Sequence, residues 1–288
     1  MIGFDVPAHR GEVHVKGAYL QGRPFYSIKE AAGFYANAEK GVPVGSGLVL
    51  VFDATTGFLA AVLFDNGYLT ELRTGAAGAL ATELLARRRV RKAAVIGAGS
   101  QARYQAEALM LVRRPEAIAV FARTPSRATA YAREMEERLG IPVTVAPTAQ
   151  AAVEGADLVI TVTPSRSPIV RAEWLAPGAH VTAVGSDGPE KQELETAVLA
   201  RADKVVVDRL DQCLRLGELH HVVEAGTLAE GDVWAELGEV AAGSKPGRQS
   251  DAEITVADLT GVGIQDAAVA NVVVAEAIRR GVGRTLEI

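Results

Sequence analysis

Lys92-Ala-Ala-Val-Ile-Gly-Ala-Gly-Ser-Gln-Ala102 sets an apolar run directly before three small residues, Gly97, Gly99 and Ala102. The run reads as a buried strand, and Gln105, Ala106 and Leu109 continue it as a helix. In a strand-turn-helix of this kind the first glycine makes a tight turn and the second lets backbone N–H groups reach a pyrophosphate. The third small residue lets the helix pack close to the strand. The stretch therefore predicts a dinucleotide-binding turn formed by Gly97, Gly99, Ser100, Gln101 and Ala102. Downstream the same unit recurs as AIAVFAR, DLVITVT, AHVTAVG, KVVVD and EITVADL, with amphipathic segments between. In one of these segments Ala128, Tyr131, Met135 and Leu139 fall at helical spacing and are expected to face the sheet. Alternating strand and helix means a parallel sheet covered on both faces. The fold class is α/β, with a Rossmann-type doubly wound parallel sheet over residues 91–264.

Upstream of this stretch the pattern changes. LVLVF and FLAAVLF form a hairpin closed by Asp53-Ala-Thr-Thr-Gly57, followed by a tight turn at Asp65-Asn66-Gly67. A helix is expected from Thr70, its N-cap, to about Arg89, with Leu80, Leu84 and Leu85 on one face. Its centre, TGAAGALA, is poor in side-chain volume, which suits close approach of another backbone at a domain junction or subunit interface. The last helix, Gln265 to Arg279, returns the chain to the first domain. Residues 1–90 and 265–288 are thus assigned to a smaller α+β domain. Residues 241–253, AAGSKPGRQSDAE, are the one loop whose composition suggests mobility.

The 288 residues are 49% hydrophobic and 23% charged, enough for two conventional cores. A formal net charge of −5 supplies no global attraction for nucleic acid or an anionic membrane. Cys213 is the only cysteine, so no intramolecular disulfide and no cysteine-based metal site are expected. No apolar run reaches the ~18 residues of a membrane span, and the N-terminus lacks the basic-then-apolar order of a secretory signal. A cytoplasmic protein is expected.

The second strand ends in Ala122-Arg123-Thr124-Pro125-Ser126-Arg127, where NAD enzymes carry an acidic residue for the ribose 2′-hydroxyl. Two guanidinium groups and two hydroxyls, with no carboxylate to repel a 2′-phosphate, favour NADP(H) over NAD(H) and make Arg123, Thr124 and Arg127 cofactor candidates. Either arginine could equally be a solvated helix-end residue. Thr161-Val162-Thr163 and Gly185-Ser186-Asp187 end the next strands and are expected near the nicotinamide. Asp187 reads from position alone either as a functional carboxylate or as a turn cap. His220 and His221, adjacent on a helix and about 100° apart, give no metal site.

Four motifs in order, Tyr68-Leu-Thr-Glu-Leu-Arg73-Thr-Gly-Ala-Ala, Gly97-Ala-Gly-Ser-Gln-Ala102, Gly185-Ser-Asp187-Gly-Pro-Glu-Lys191-Gln-Glu-Leu194 and Leu259-Thr-Gly-Val-Gly263-Ile-Gln-Asp266-Ala-Ala, resemble the ornithine cyclodeaminase/mu-crystallin family across nearly the whole chain. GEVHVKGAYL and DNGYLTELRTGAAGA look most like its ectoine-utilisation branch. The resemblance implies that the first domain binds substrate and pairs into a homodimer. Lys29 matches the family lysine and Arg73 the family arginine, which would hold a substrate carboxylate; from the residues alone they read as a surface lysine and a helix-end ion pair. Asp187 matches the catalytic aspartate, Lys29 is the second catalytic candidate, and the Thr161 to Thr163 and Gly263 loops would contact the nicotinamide.

Two departures bear on function. An arginine expected near Met1 to Gly3 is absent, and Lys16, standing where other members carry the methionine of a Met-Pro pair, could supply its charge. A glutamate of the ornithine-specific enzymes is missing near His14, which argues against strict ornithine cyclodeamination. The expected function is an NADP(H)-dependent oxidoreductase interconverting an α-imino or α-keto acid with its amino acid. A cyclodeaminase lyase and a non-catalytic mu-crystallin-like binder of cofactor and a small ligand are the alternatives.

Overall fold

The computed structural model describes residues 2–286. Met1, where the alignment looks for part of the missing arginine region, and residues 287 and 288 lie outside the described residues. The chain forms two compact units, residues 1–73 with 262–288 and residues 74–261.

The first unit is built on five antiparallel strands in sequential order: β1 (Ile2–Val6), β2 (Gly11–Tyr19), β3 (Phe25–Phe34), β4 (Gly45–Asp53) and β5 (Leu59–Leu63). The β4–β5 hairpin is the expected one, its turn fixed by Asp53 Oδ1, which accepts from the Thr55 and Thr56 amides at 2.8 Å each. The turn at Asp65 also forms, with Asn66 and Gly67 both at positive φ, and it opens helix α1 (Tyr68–Leu85). The helix starts two residues before the expected cap. Asp65, not Thr70, serves its amino end, accepting from the Leu69 N–H at 2.7 Å. Leu85 is buried as expected, whereas Leu80 is exposed.

The second unit carries eight parallel strands in the order β14-β13-β15-β11-β9-β6-β7-β8. In chain order they are β6 (Lys92–Ile96), β7 (Ala117–Phe121), β8 (Val143–Val145), β9 (Leu158–Thr161), β11 (His180–Ala183), β13 (Lys204–Val207), β14 (Ala235–Glu236) and β15 (Thr255–Asp258). β10 (Arg166–Val170) and β12 (Gln192–Leu194) form a separate parallel pair. The helices are α2 (Ser100–Val112), α3 (Pro125–Leu139), α4 (Ala149–Val153), α5 (Thr196–Arg201), α6 (Leu210–Cys213), α7 (Gly217–Glu224) and α8 (Leu237–Ala241). Alternate strand residues separate into two cores: Ala93, Val95, Leu158 and Ile160 pack with Tyr131 and Met135 of α3, while Ala94, Ile96, Val159 and Val181 pack with Val198 and Leu219. Ala128 and Leu139 are buried as their spacing predicts. The six β-branched runs all became strands. The two strands of the eight-stranded sheet that were not anticipated, β8 and β14, are three and two residues long, too short for a periodic signal; the separate pair β10 and β12 was not anticipated either. Strand order reverses at β6, which has β7 on one side and β9 on the other, so the carboxyl ends of β6 and β9 flank the switch point where open α/β sheets take ligands.

The loop before β15 is stitched, in contrast to its composition. Lys204 Nζ donates to Gly247 O, Gln249 and Glu253, and Arg248 donates to Leu85 O, Glu253 O and Thr255 Oγ1. Cys213 is fully buried, and burial raises its thiol well above the usual range; its Sγ lies 3.3 Å from Asp208 Oδ1.

The small residues of α1 have a definite partner. A Cβ on Gly75 would lie 2.8 Å from Tyr104 O, and one on Gly78 would overlap the Gln105 side chain of α2. After the second unit, α9 (Gly263–Arg280) returns to the first, packing on β2 and β3. Asn271 fixes it there: its Nδ2 donates to Phe25 O at 2.9 Å and its Oδ1 accepts from Phe25 N at 3.3 Å.

Gly75→Ala supplies a test of the close helix approach. In an ordinary helix interior alanine is about 1 kcal/mol better than glycine; here the added methyl meets backbone, and overpacking of this kind costs about 1–3 kcal/mol. A lowered urea midpoint is expected, and a raised one would show that the approach is not rigid.

Candidate active site

Gly97 has φ +124°, and a Cβ there would stand 3.0 Å from Val162 O, so only glycine serves this turn. Gly99 is different. Its backbone is ordinary, and a Cβ would meet nothing within 4 Å. No crowding within the chain calls for glycine at 99; the space is open in front of the α2 amino end, where Ser100 is exposed and no side chain caps the helix. An open helix terminus with free N–H groups and positive dipole receives anions. Arg103 holds the turn from behind, donating to Ala98 O at 3.1 Å and Gly99 O at 3.0 Å and pairing with Glu134. Ala102 is fully buried, and its carbonyl accepts from Tyr131 Oη at 3.0 Å, so the third small position serves close packing of α2. Gln101 is half-buried on the first turn of α2.

At the end of β7, Arg123, Thr124 and Arg127 are all exposed. Thr124 is the N-cap of α3 without a side-chain cap bond. Among the described residues neither arginine has an acidic partner. The three residues leave two guanidinium groups and a hydroxyl open to an anion.

The ends of β9 and β11 are joined through one buried group. Glu193, at the centre of β12, accepts from the Thr163 N–H at 2.6 Å and the Thr163 hydroxyl at 2.7 Å on Oε1, and from the Gly185 N–H at 2.9 Å on Oε2. Burial pushes its carboxyl up to about 7, against the pull of those donors. Thr161 is fully buried and Val162 packs against Gly97. Beyond Gly185, Asp187 is half-buried, and its Oδ1 accepts from Lys191 Nζ at 2.7 Å. Lys191 is itself buried, and its carbonyl accepts from Ser186 Oγ at 2.5 Å.

In the other unit Lys29 and Lys16 are direct cross-strand neighbours on β3 and β2, and both are buried. Arg73 is buried on the first turns of α1. Asp266, on the first turn of α9 and 1% exposed, lies with Oδ1 3.2 Å from Lys29 Nζ and 3.0 Å from Arg73 Nε. Arg73 also donates to Gln265 Oε1 at 2.7 Å. Burial and the neighbouring Arg73 and Lys16 charges push Lys29 down to about 7, and Asp266 opposes that shift. Two buried cations, Lys29 and Arg73, therefore share the one carboxylate of Asp266. Gly263 belongs to this unit and has a packing reason of its own, since a Cβ there would come within 2.8 Å of Gly17 O.

Lys16, Lys29 and Arg73 are thus gathered in one unit, and Asp187 with the glycine turn and the β7 end lies in the other. Asp266, Gln265, Lys191, Glu193 and Arg103 were not singled out. The first four stand within the quoted motifs, where acid and amide residues at the start of a helix or on a short strand carry no signal of which charge they face. The histidine pair also departs from expectation. His220, His221 and Glu224 bring one ligand-capable atom each within 4.8 Å of one another, even though the two rings leave the helix on different sides. One ring nitrogen of each histidine is engaged by a carbonyl, Leu214 O for His220 and Lys191 O for His221. Among the described residues no helix is long and apolar enough to cross a membrane.

Comparison with known proteins agrees with the fold. The Ornithine cyclodeaminase/mu-crystallin family profile matches residues 3–281. A putative dehydrogenase of Rhizobium meliloti is 46% identical over all of this chain and 87% of its own length. The structure of Thermococcus litoralis Delta(1)-pyrroline-2-carboxylate reductase in complex with NADH and L-proline superposes with a TM-score of 0.94 at 33% identity, over 99% of this chain and 88% of that one. An archaeal alanine dehydrogenase dimer with bound NAD superposes with a TM-score of 0.92 at 38% identity, over 100% of this chain and 87% of that one. The shared fold, the match along almost the whole sequence and the identity to these relatives establish that the chain belongs to the ornithine cyclodeaminase/mu-crystallin family.

Proposed function

We propose that the chain is an NAD(P)-dependent oxidoreductase that interconverts a small α-imino or α-keto acid with its amino acid. The observation that carries this reading is the excess of buried cations over carboxylate around Asp266. A substrate carboxylate adds to that charge set, and Lys29 and Arg73, with Lys16 beside Lys29 on the next strand, hold it. Two cations on one carboxylate leave the α-carbon few orientations. Asp187 acts on the substrate nitrogen, orienting an iminium or exchanging its proton, and Lys191 fixes the carboxylate in place for this. When bound, the dinucleotide supplies hydride to the α-carbon or accepts it in the reverse direction.

The open α2 terminus and Gly99 support a pyrophosphate position, with Gly97, Ser100, Gln101 and Ala102 forming the turn. Thr161 to Thr163, at the switch point, are assigned to the nicotinamide side. Unpaired Arg123 and Arg127 support a preference for NADP(H), although the two solved structures named above carry NADH or NAD. The active form is a homodimer paired through the first unit, where Ile2, Phe4, Phe58, Phe64, Val272 and Ile278 are exposed. A lone, buried cysteine suits a reducing cytoplasm.

The deciding experiment follows NADPH absorbance while the protein is offered cyclic imino acids, pyruvate with ammonia, and ornithine. Stoichiometric oxidation with an imine is expected. Ammonia released from ornithine without net cofactor change would show a cyclodeaminase, and bound cofactor without turnover would show a ligand-binding protein.

The same assay tests the residue assignments. Asp187→Asn is expected to lose turnover while NADPH still binds, and Arg73→Ala to raise KM or abolish activity; unchanged kinetics in both would overturn the assignment. Arg123→Ala is expected to weaken NADPH far more than NADH, and equal weakening would remove the 2′-phosphate role.

The depressed Lys29 makes a pH prediction. In the free protein it loses its proton, and with it carboxylate affinity, as pH rises through about 7. Profiles of kcat/KM, which report the free enzyme, are expected to fall on the alkaline side of that value. A bound carboxylate favours the charged form, so the limb for kcat moves to higher pH. Lys29→Arg should remove the limb from kcat/KM, and its persistence would assign the titration to another group.

A further inference from the structure

We infer that Glu193 is a positioning residue that clamps the β9 and β11 ends together and thereby sets where Asp187 stands. The inference rests on the proposed role of Asp187 and adds a residue that does not itself meet substrate. The two loops touch: a Cβ on Gly185 would lie 2.2 Å from Thr163 O and 2.5 Å from both Thr163 N and Glu193 Oε2. Backbones this close leave room for one acceptor group, and the Glu193 carboxylate occupies it. Thr163 N–H and Gly185 N–H are both obligatory donors, and they need an acceptor on each oxygen. A carboxylate supplies both; an amide of the same size supplies one.

The clamp is held from behind. Glu218 of α7 is 1% exposed, and its two oxygens accept from the Glu193 N–H at 2.7 Å and the Leu194 N–H at 3.0 Å. Asp258, at the end of β15, in turn accepts from Leu219 N–H of α7 at 2.9 Å. His221 of the same helix bonds to Lys191 O at 2.8 Å, the residue whose ammonium holds Asp187. Helix α7 is therefore the base on which β12 presents Glu193 to one loop pair and on which Lys191, just before β12, is held beside Asp187. Three buried carboxyl groups in sequence would be costly as mere filling, and each is spent on backbone donors, of the two loops, of β12 and of α7 in turn.

Glu193→Gln tests this. With NADPH saturating, turnover with the best imino acid is expected to fall about tenfold or more, the order that small misplacement of reacting groups costs, while KM for the imino acid stays within about threefold, since the carboxylate cations are not touched. Amide hydrogen exchange is read alongside. The Thr163 and Gly185 amides should lose protection together, with β6 amides unchanged. Thr163→Val, which removes the hydroxyl bond and keeps both amide bonds, should show a smaller fall in kcat with the same KM and serves if the glutamine variant does not fold. Wild-type kcat per dinucleotide-binding site in Glu193→Gln would overturn the inference. So would exchange that rises across the whole sheet in proportion to lost activity, which marks a general structural role. If the wild-type protein itself turns over no imino or amino acid, the reductase reading fails, and the exchange at Thr163 and Gly185 still decides whether the clamp exists.

Discussion

A carboxylate removed from water must be met by charge or hydrogen bonds, and Asp266 is the place in the first unit where this requirement organises everything near it. Its penalty unpaired would be several kcal/mol. Lys29 and Arg73 meet it, and in doing so they tie the start of α9 to β3 and to the first turns of α1. One anion holds together three segments that are far apart in sequence. The same anion also keeps both cations buried. The proposed hold on a substrate carboxylate would draw on the same charges that pack the unit.

The second unit uses the opposite sign for a similar end. Its parallel strands terminate in loops whose backbone N–H groups have no neighbouring strand to donate to, and acids fill that need: Glu193 for Thr163 and Gly185, Glu218 for the β12 amides, Asp258 for α7 and Asp208 for Gly261. Burial raises the carboxyl groups of Glu193, Glu218 and Asp258, because the unionised form is favoured away from water. The dinucleotide turn follows the complementary rule. There no side chain caps the amino end of α2, and the glycine at 99 keeps the approach clear.

Much of this was legible in the residues. Period and β-branching marked every strand of four or more residues in the second unit's parallel sheet, because parallel strands are apolar on both faces. The turn at Gly97 could be read because its chemistry is local. What could not be read is long-range pairing of polar groups. Asp266 and Lys29 are 237 positions apart, and nothing near either announces the other. Glu193 sits on a three-residue strand that has no period to detect. Helix α1 began early because Asp65, within the turn, outcompeted Thr70 as a cap. The loop at 241–253 looked mobile from its glycines and serine, yet Arg248 within it reaches Leu85 O and Thr255, and Gln249 and Glu253 accept from Lys204 of β13.

Cys213 has a practical consequence. Its sulfur is sealed from solvent and burial raises its thiol well above the usual range, so in the folded molecule it offers thiol-alkylating reagents no reactive thiolate. Any labelling must pass through an opening of the structure around α6. With no other cysteine in the chain to compete, the labelling rate at that one sulfur counts how often the protein opens there, and the molecule carries its own chemical clock for that event.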